Sequence, residues 1–97
     1  MLLRKSGDPN ATDQAIQNFE EALVETPNDP VATHALATML ERKDHYQRVV
    51  QLLTPLLEHP SRKTRELALP VILHAYERMG ETLKALEIRR RLEENDL

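Results

Sequence analysis

The sequence predicts an all-α protein built as an array of antiparallel helix pairs. Apolar residues recur at helical spacing along nearly the whole chain, and no stretch alternates as a strand would. The pattern also repeats: Ala15, Phe19 and Ala22 are echoed by Val49, Leu53 and Leu56 at a spacing of 34, and then by Ala85, Arg89 and Leu92 at a spacing of 36. Pro27 and Pro60 punctuate that period.

Composition fits this class. The 97 residues make one domain at most. With 40% hydrophobic, 30% charged and only 3% aromatic residues, a core must come from Leu, Ala, Val and Ile, which suits helix on helix. A net charge of −3 argues against a nucleic-acid surface, and the lack of cysteine removes disulfides, thiol nucleophiles and thiolate metal sites. No apolar run reaches the length of a membrane span, and Met1-Leu2-Leu3 is too short for a signal segment, so no membrane insertion and a cytoplasmic location are expected.

Each element has its own reason. Leu2 to Ser6 reads as the last turn of a helix, joined by Gly7-Asp8-Pro9-Asn10 to a helix over Asp13 to Glu25 with Ile16, Phe19, Ala22 and Leu23 inward. Pro27 stops it, because proline cannot continue a helix and biases Thr26 out of helical geometry. Asp29 is placed to cap the next helix, with Pro30 at its first position, where a missing N–H costs nothing. Val31 to Lys43 follows, with Leu36, Ala37 and Leu40 inward. Asp44-His45 turns the chain into Tyr46 to Glu58, through Val49, Leu53, Leu56 and Leu57. After Pro60, Ser61 caps Arg62 to Met79, and Gly80-Glu81 leads into Thr82 to Glu94. Pro55 and Pro70 fall inside two of these helices and should bend them. The two extra positions that separate the longer echo from the shorter are expected in a loop near His59 to Thr64.

The repeat resembles the tetratricopeptide repeat, a 34-residue helix–turn–helix unit. Ala15-x3-Phe19, Ala22 and Pro27 match its second helix. Leu69-x2-Ile72-Leu73-x2-Tyr76, Gly80 and Ala85 match the third unit until Arg89 takes an aromatic place. Thr33-x2-Leu36-Ala37-x2-Leu40, Val49-x3-Leu53 and Pro60 paraphrase the motif in the middle. The longer HEAT repeat fits worse. The resemblance divides the chain into a partial unit over 1–29, a second over 30–60 and a third over 61–97. It implies a right-handed superhelical array, with small residues (Ala15, Ala22, Ala37, Ala85) at close approaches and Phe19, Leu53 and Tyr76 filling the gaps.

Catalytic and metal readings find little in the residues. Four histidines include no His-x3-His pair, and no acidic residue or cysteine stands at ligand spacing from His34 or His74. Glu20-Glu21, Glu93-Glu94 and Asp96 fall on outer faces or a helix end, where a carboxylate stays solvated. Gly7 and Gly80 cannot make a phosphate loop. Neither an enzyme nor a cofactor nor a metal is expected. Arg89-Arg90-Arg91 point about 100° apart around a helix among Glu87, Glu93 and Glu94, as in an ion-paired surface. Arg89 itself implies a stem snorkelling from the core or, preferably, a half-exposed site where the array ends.

In the tetratricopeptide family the first helix of each pair lines a groove that takes an extended peptide or short helix. The resemblance therefore implies a protein-interaction module or scaffold, part of a larger repeat protein. Its groove would be lined by Val31, His34, Thr38, Glu41, Arg42, Leu67, Val71, His74, Glu77 and Arg78. A family subtype that grips a C-terminal carboxylate uses Lys, Asn and Arg. Here His34, Ala35, Thr38, Leu67 and Val71 stand in those places, so that clamp is missing. Two alternatives stay open: a spacer with no ligand of its own, or a regulatory or structural segment of a larger enzyme. A monomer or weak homodimer is expected, associating through the N-terminal end, where Leu2 and Leu3 leave Ile16, Phe19 and Leu23 partly covered.

Overall fold

The computed structural model describes residues 9–27 and 29–95. Within them the chain forms helices α1 (Pro9–Glu25), α2 (Pro30–Arg42), α3 (Tyr46–Leu53), α4 (Arg62–Arg78) and α5 (Thr82–Asn95), with a 3₁₀ segment (Thr54–Glu58) after α3. No strand occurs among the described residues. Each helix packs on the next, and α2 also touches α4. The radius of gyration is 14.6 Å and the extents 50 × 31 × 20 Å. A compact ball of this length would have a radius of about 12–13 Å, so the helices are laid out in a row.

The ends of the helices follow local chemistry. Asp29 Oδ1 accepts from the N–H groups of Val31 at 3.0 Å and Ala32 at 3.4 Å, with Pro30 in the first turn of α2. Ser61 Oγ accepts from Thr64 N–H at 3.4 Å at the start of α4. The far ends of α2 and α4 share one closure. After α2, His45 N–H donates to Leu40 O and Asp44 N–H to Glu41 O; after α4, Glu81 N–H donates to Tyr76 O and Gly80 N–H to Glu77 O. This is the Schellman pattern, which needs a left-handed residue. Asp44 (φ 62°) and Gly80 (φ 76°) supply it. A Cβ at Gly80 would meet nothing within 4 Å, so its cost would be conformational. Gly80→Ala is expected to lose roughly 1–2 kcal/mol in urea denaturation. Asp44→Gly should change stability by less than about 1 kcal/mol, since relief of the left-handed strain is offset by greater chain entropy and a lost Tyr46 hydroxyl bond.

Several expectations need correction. Helix α1 begins at Pro9, ahead of Asp13, so Pro9 and Asn10 are helical rather than linking. Ala22, expected at a close helix contact, is exposed. Only Ile16, Phe19 and Leu23 of that face pack against the core. The helix expected from Tyr46 to Glu58 leaves α geometry at Leu53. Pro55 has no N–H for the Gln51 carbonyl, and the chain tightens into a 3₁₀ turn that still buries Leu56 and Leu57. Pro70, by contrast, lies inside the continuous helix α4, where it was expected. The Glu66 carbonyl loses its donor there, but both residues lie on the exposed side. The extra length of the third unit is helical rather than loop. Asp29 and Ser61 are 32 apart in the chain whereas Asp44 and Gly80 are 36 apart, and α4 has 17 residues against 13 in α2. The connection stays short because Arg65 Nη1 donates to the carbonyls of His59 (2.7 Å) and Pro60 (2.9 Å). Leu2 to Ser6, Gly7, Asp8, Asn28 and Asp96 lie outside the described residues.

The core sits where α2, α3 and α4 meet: Leu36, Ala37, Leu40, Val49, Leu53, Leu56, Leu57, Ala68, Leu69, Ile72 and Ala75, joined by Ile88 from α5. Fully burying such a Leu or Ile contributes about 1.5–3 kcal/mol. Ion pairs tie α1 on from outside, Lys43 to Asp13 and Arg48 to Glu20, each at 2.7 Å.

Candidate functional site

The groove candidates lie on α2 and α4, which run beside one another, and their surroundings divide into two regions. Toward the N-terminal ends, Val31 and Leu67 are exposed and Val71 is half-buried, with His34 and Thr38 between burial and exposure. Val31 stands out because the Asp29 cap holds its backbone while its side chain is 70% exposed. The Thr38 hydroxyl already donates to Ala35 O at 2.8 Å, which leaves its oxygen as an acceptor. This half is mostly apolar.

Toward the C-terminal ends the surface becomes charged and connected. His74 Nδ1 lies 2.5 Å from Glu41 Oε2, joining α4 to α2. A carboxylate only accepts, so the proton sits on Nδ1, and Nε2 has no partner among the described residues. The Tyr46 and His74 rings meet in a T-shaped arrangement, with centroids 6.0 Å apart and planes at 82°. Arg78 places its guanidinium 5.9 Å from the same Tyr46 ring, and the Tyr46 hydroxyl donates to Asp44 Oδ1 at 2.8 Å. The Schellman turn thus has a second consequence, since it brings Tyr46, at the start of α3, beside His74 and Arg78. Glu77 is committed elsewhere, its Oε2 accepting from Arg89 at 2.6 Å. Arg42 is exposed.

Two expectations change here. An acidic partner for His74 does exist: Glu41, on a different helix, where no local spacing rule would find it. Two donors are too few for a metal site, and no group of three or more His, Cys, Asp or Glu side chains gathers among the described residues. Arg89 is half exposed (54%), as expected in preference to snorkelling, but its ion partner is Glu77 on α4 rather than Glu87, Glu93 or Glu94. Groove spacing alone does not point to Tyr46 and Asp44. The signal that could have found them is an acidic residue at the left-handed place, two positions before an aromatic.

Electrostatics here are mild. His74 and Glu41 side chains are 51% and 25% exposed, and such a pair stabilises by about 0–1 kcal/mol. The arrangement therefore acts as a patterned surface, presenting an imidazole nitrogen, an aromatic ring and guanidinium groups beside an apolar strip. Two hollows lie away from it. One of about 360 Å³ is bounded by Leu23, Pro27, Thr33, Leu52, Pro55 and His59. The other, about 500 Å³ and wide open, lies on α5 between Leu83, Leu86, Arg90 and Glu93. No helix among the described residues is long and apolar enough to cross a membrane.

Compared with protein-family models, curated proteins and solved structures, the chain matches none.

Proposed function

We propose that this chain is a protein-interaction module of the tetratricopeptide type, a right-handed stack of helix pairs that binds an extended peptide or short helix along α2 and α4. The observation that carries the proposal is the Glu41–His74 contact. It links the two rows of groove candidates directly, so that they form one surface rather than two separate faces. The matching closures of α2 and α4 at Asp44 and Gly80 support the repeat reading on which the groove rests. The ligand would set apolar side chains on Val31, Leu67 and Val71 and a polar or acidic group near His74, Arg78 and Arg42. Recognition by a preformed helical surface needs little ordering of the protein, so modest contacts suffice for binding.

The test is a peptide-display selection on the purified chain, followed by affinity measurements on variants. His34→Ala with His74→Ala is expected to weaken a selected peptide about tenfold, the loss of one good contact. Glu21→Ala, on the outer side of α1, should leave affinity unchanged. If the histidine pair leaves affinity unchanged as well, the groove is not the site.

A further inference from the structure

The groove leaves open whether its ligand lies extended or helical, and two side chains on α4 bear on that choice. His74 carries its proton on Nδ1, given to Glu41 Oε2, so Nε2 is an acceptor with no partner among the described residues. One turn on, the exposed Arg78 offers N–H donors in a planar fork. Its guanidinium stands 5.9 Å from the Tyr46 ring centroid and meets no carboxylate among the described residues. Glu77 is taken by Arg89, and Asp44 accepts from the Tyr46 hydroxyl. Arg42 and Arg78 are balanced in number by Glu41 and Asp44, so the pattern of donors and acceptors, rather than net charge, selects what binds. Along α4, Leu67, Val71, His74 and Arg78 fall within about 60° of one another around the axis, in one row roughly 16 Å long.

We infer that the groove takes an extended peptide, whose main chain gives an N–H to His74 Nε2 and a C=O to Arg78. This rests on the groove reading above. An acceptor beside a donor matches the backbone of an extended chain. Such a chain presents unspent N–H and C=O groups along one edge, recurring every two residues at about 6.6 Å. His74 and Arg78 are about 6 Å apart along the helix. A bound helix spends its main chain on itself. Its free N–H groups lie at one end and its free C=O groups at the other, so it does not offer both in one place. Alternate side chains of the extended peptide rest on Leu67 and Val71, which are also about 6 Å apart. The whole row accommodates about five residues of strand. Tyr46 is a positioning residue: its hydroxyl is held by Asp44, and its ring contacts both His74 and Arg78.

Two random dodecapeptide libraries, one linear and one crosslinked into helices, are selected on the purified full chain. Binders are expected from the linear library. The recovered linear peptide is then resynthesised with each amide N-methylated in turn. One N-methyl group should weaken binding to the unaltered protein about tenfold. It should have little further effect on His74→Ala, because the donor it blocks has already lost its acceptor. The same penalty should shrink in Tyr46→Leu. Arg78→Ala should weaken the peptide about tenfold yet keep the penalty. Circular dichroism checks that each variant remains helical. Binders from the helical library alone would overturn the inference. So would a linear binder indifferent to Arg78, or one whose N-methyl penalties are the same with and without His74. In those cases the response to changing His34 and His74 together still decides the groove reading separately. If neither library yields a binder, the groove reading fails and this inference fails with it.

Discussion

Leu53→Ala is expected to cost about 2–5 kcal/mol, the range for truncating a buried leucine, and to lower the melting temperature by roughly 4–8 °C for each kcal/mol in a domain of this size. Leu53 is fully buried in the cluster where α2, α3 and α4 meet. A domain this small holds only on the order of 5 kcal/mol to begin with, so the variant should be close to unfolding at physiological temperature. The informative comparison is with the same register position in the flanking units. Phe19, the preceding echo, is half-buried, and Phe19→Ala should cost less than the roughly 3–5 kcal/mol of a fully buried aromatic. Arg89, the following echo, is exposed and holds one surface ion pair with Glu77. Arg89→Ala should cost about 0–1 kcal/mol. Urea denaturation of the three variants should therefore rank them Leu53, Phe19, Arg89. Equal losses at all three would mean that burial is shared evenly along the array, contrary to the structure.

Ala75→Leu is expected to destabilise by about 2–3 kcal/mol, by overpacking. Ala75 lies on α4 with no exposed surface, inside the core cluster, where a small side chain permits close helix approach. The added isopropyl group must force a neighbouring rotamer or push helices apart. Ala22→Leu is the control. The sequence pattern treats Ala22 as another close-contact alanine, yet its side chain is exposed, so the larger residue should be nearly neutral, within about 0.5 kcal/mol. Chemical denaturation with unchanged m-values would show that only native-state packing was altered. A neutral Ala75→Leu would mean the core has spare volume.

The candidate surface was legible in part. Helical spacing was enough to assign Val31, His34, Thr38 and Glu41 to α2, and Leu67, Val71, His74 and Arg78 to α4. Their joining was not legible. The Glu41–His74 contact bridges two helices far apart in the chain, and the placement of Tyr46 beside His74 depends on Asp44 taking left-handed geometry. Propensity alone disfavours that geometry for a residue with a Cβ.

Everything that could be read directly was local in origin. Asp29 with Pro30, Ser61, Pro27 and Gly80 act within a turn or two of the chain, through caps, missing N–H groups and permitted φ angles, so the starts of α2 and α4 and the ends of α1 and α4 were plain from residue order. The recurring echoes likewise marked equivalent positions. What those positions do was decided by packing. Phe19, Leu53 and Arg89 share a register but become half-buried, buried and exposed, because α3 packs between α2 and α4 whereas α1 and α5 each lie against one main neighbour. The exposed Leu83–Leu86 stripe has the same origin. Burial depends on which helices come to lie alongside, and those neighbours are too far apart in the chain for any local pattern to span.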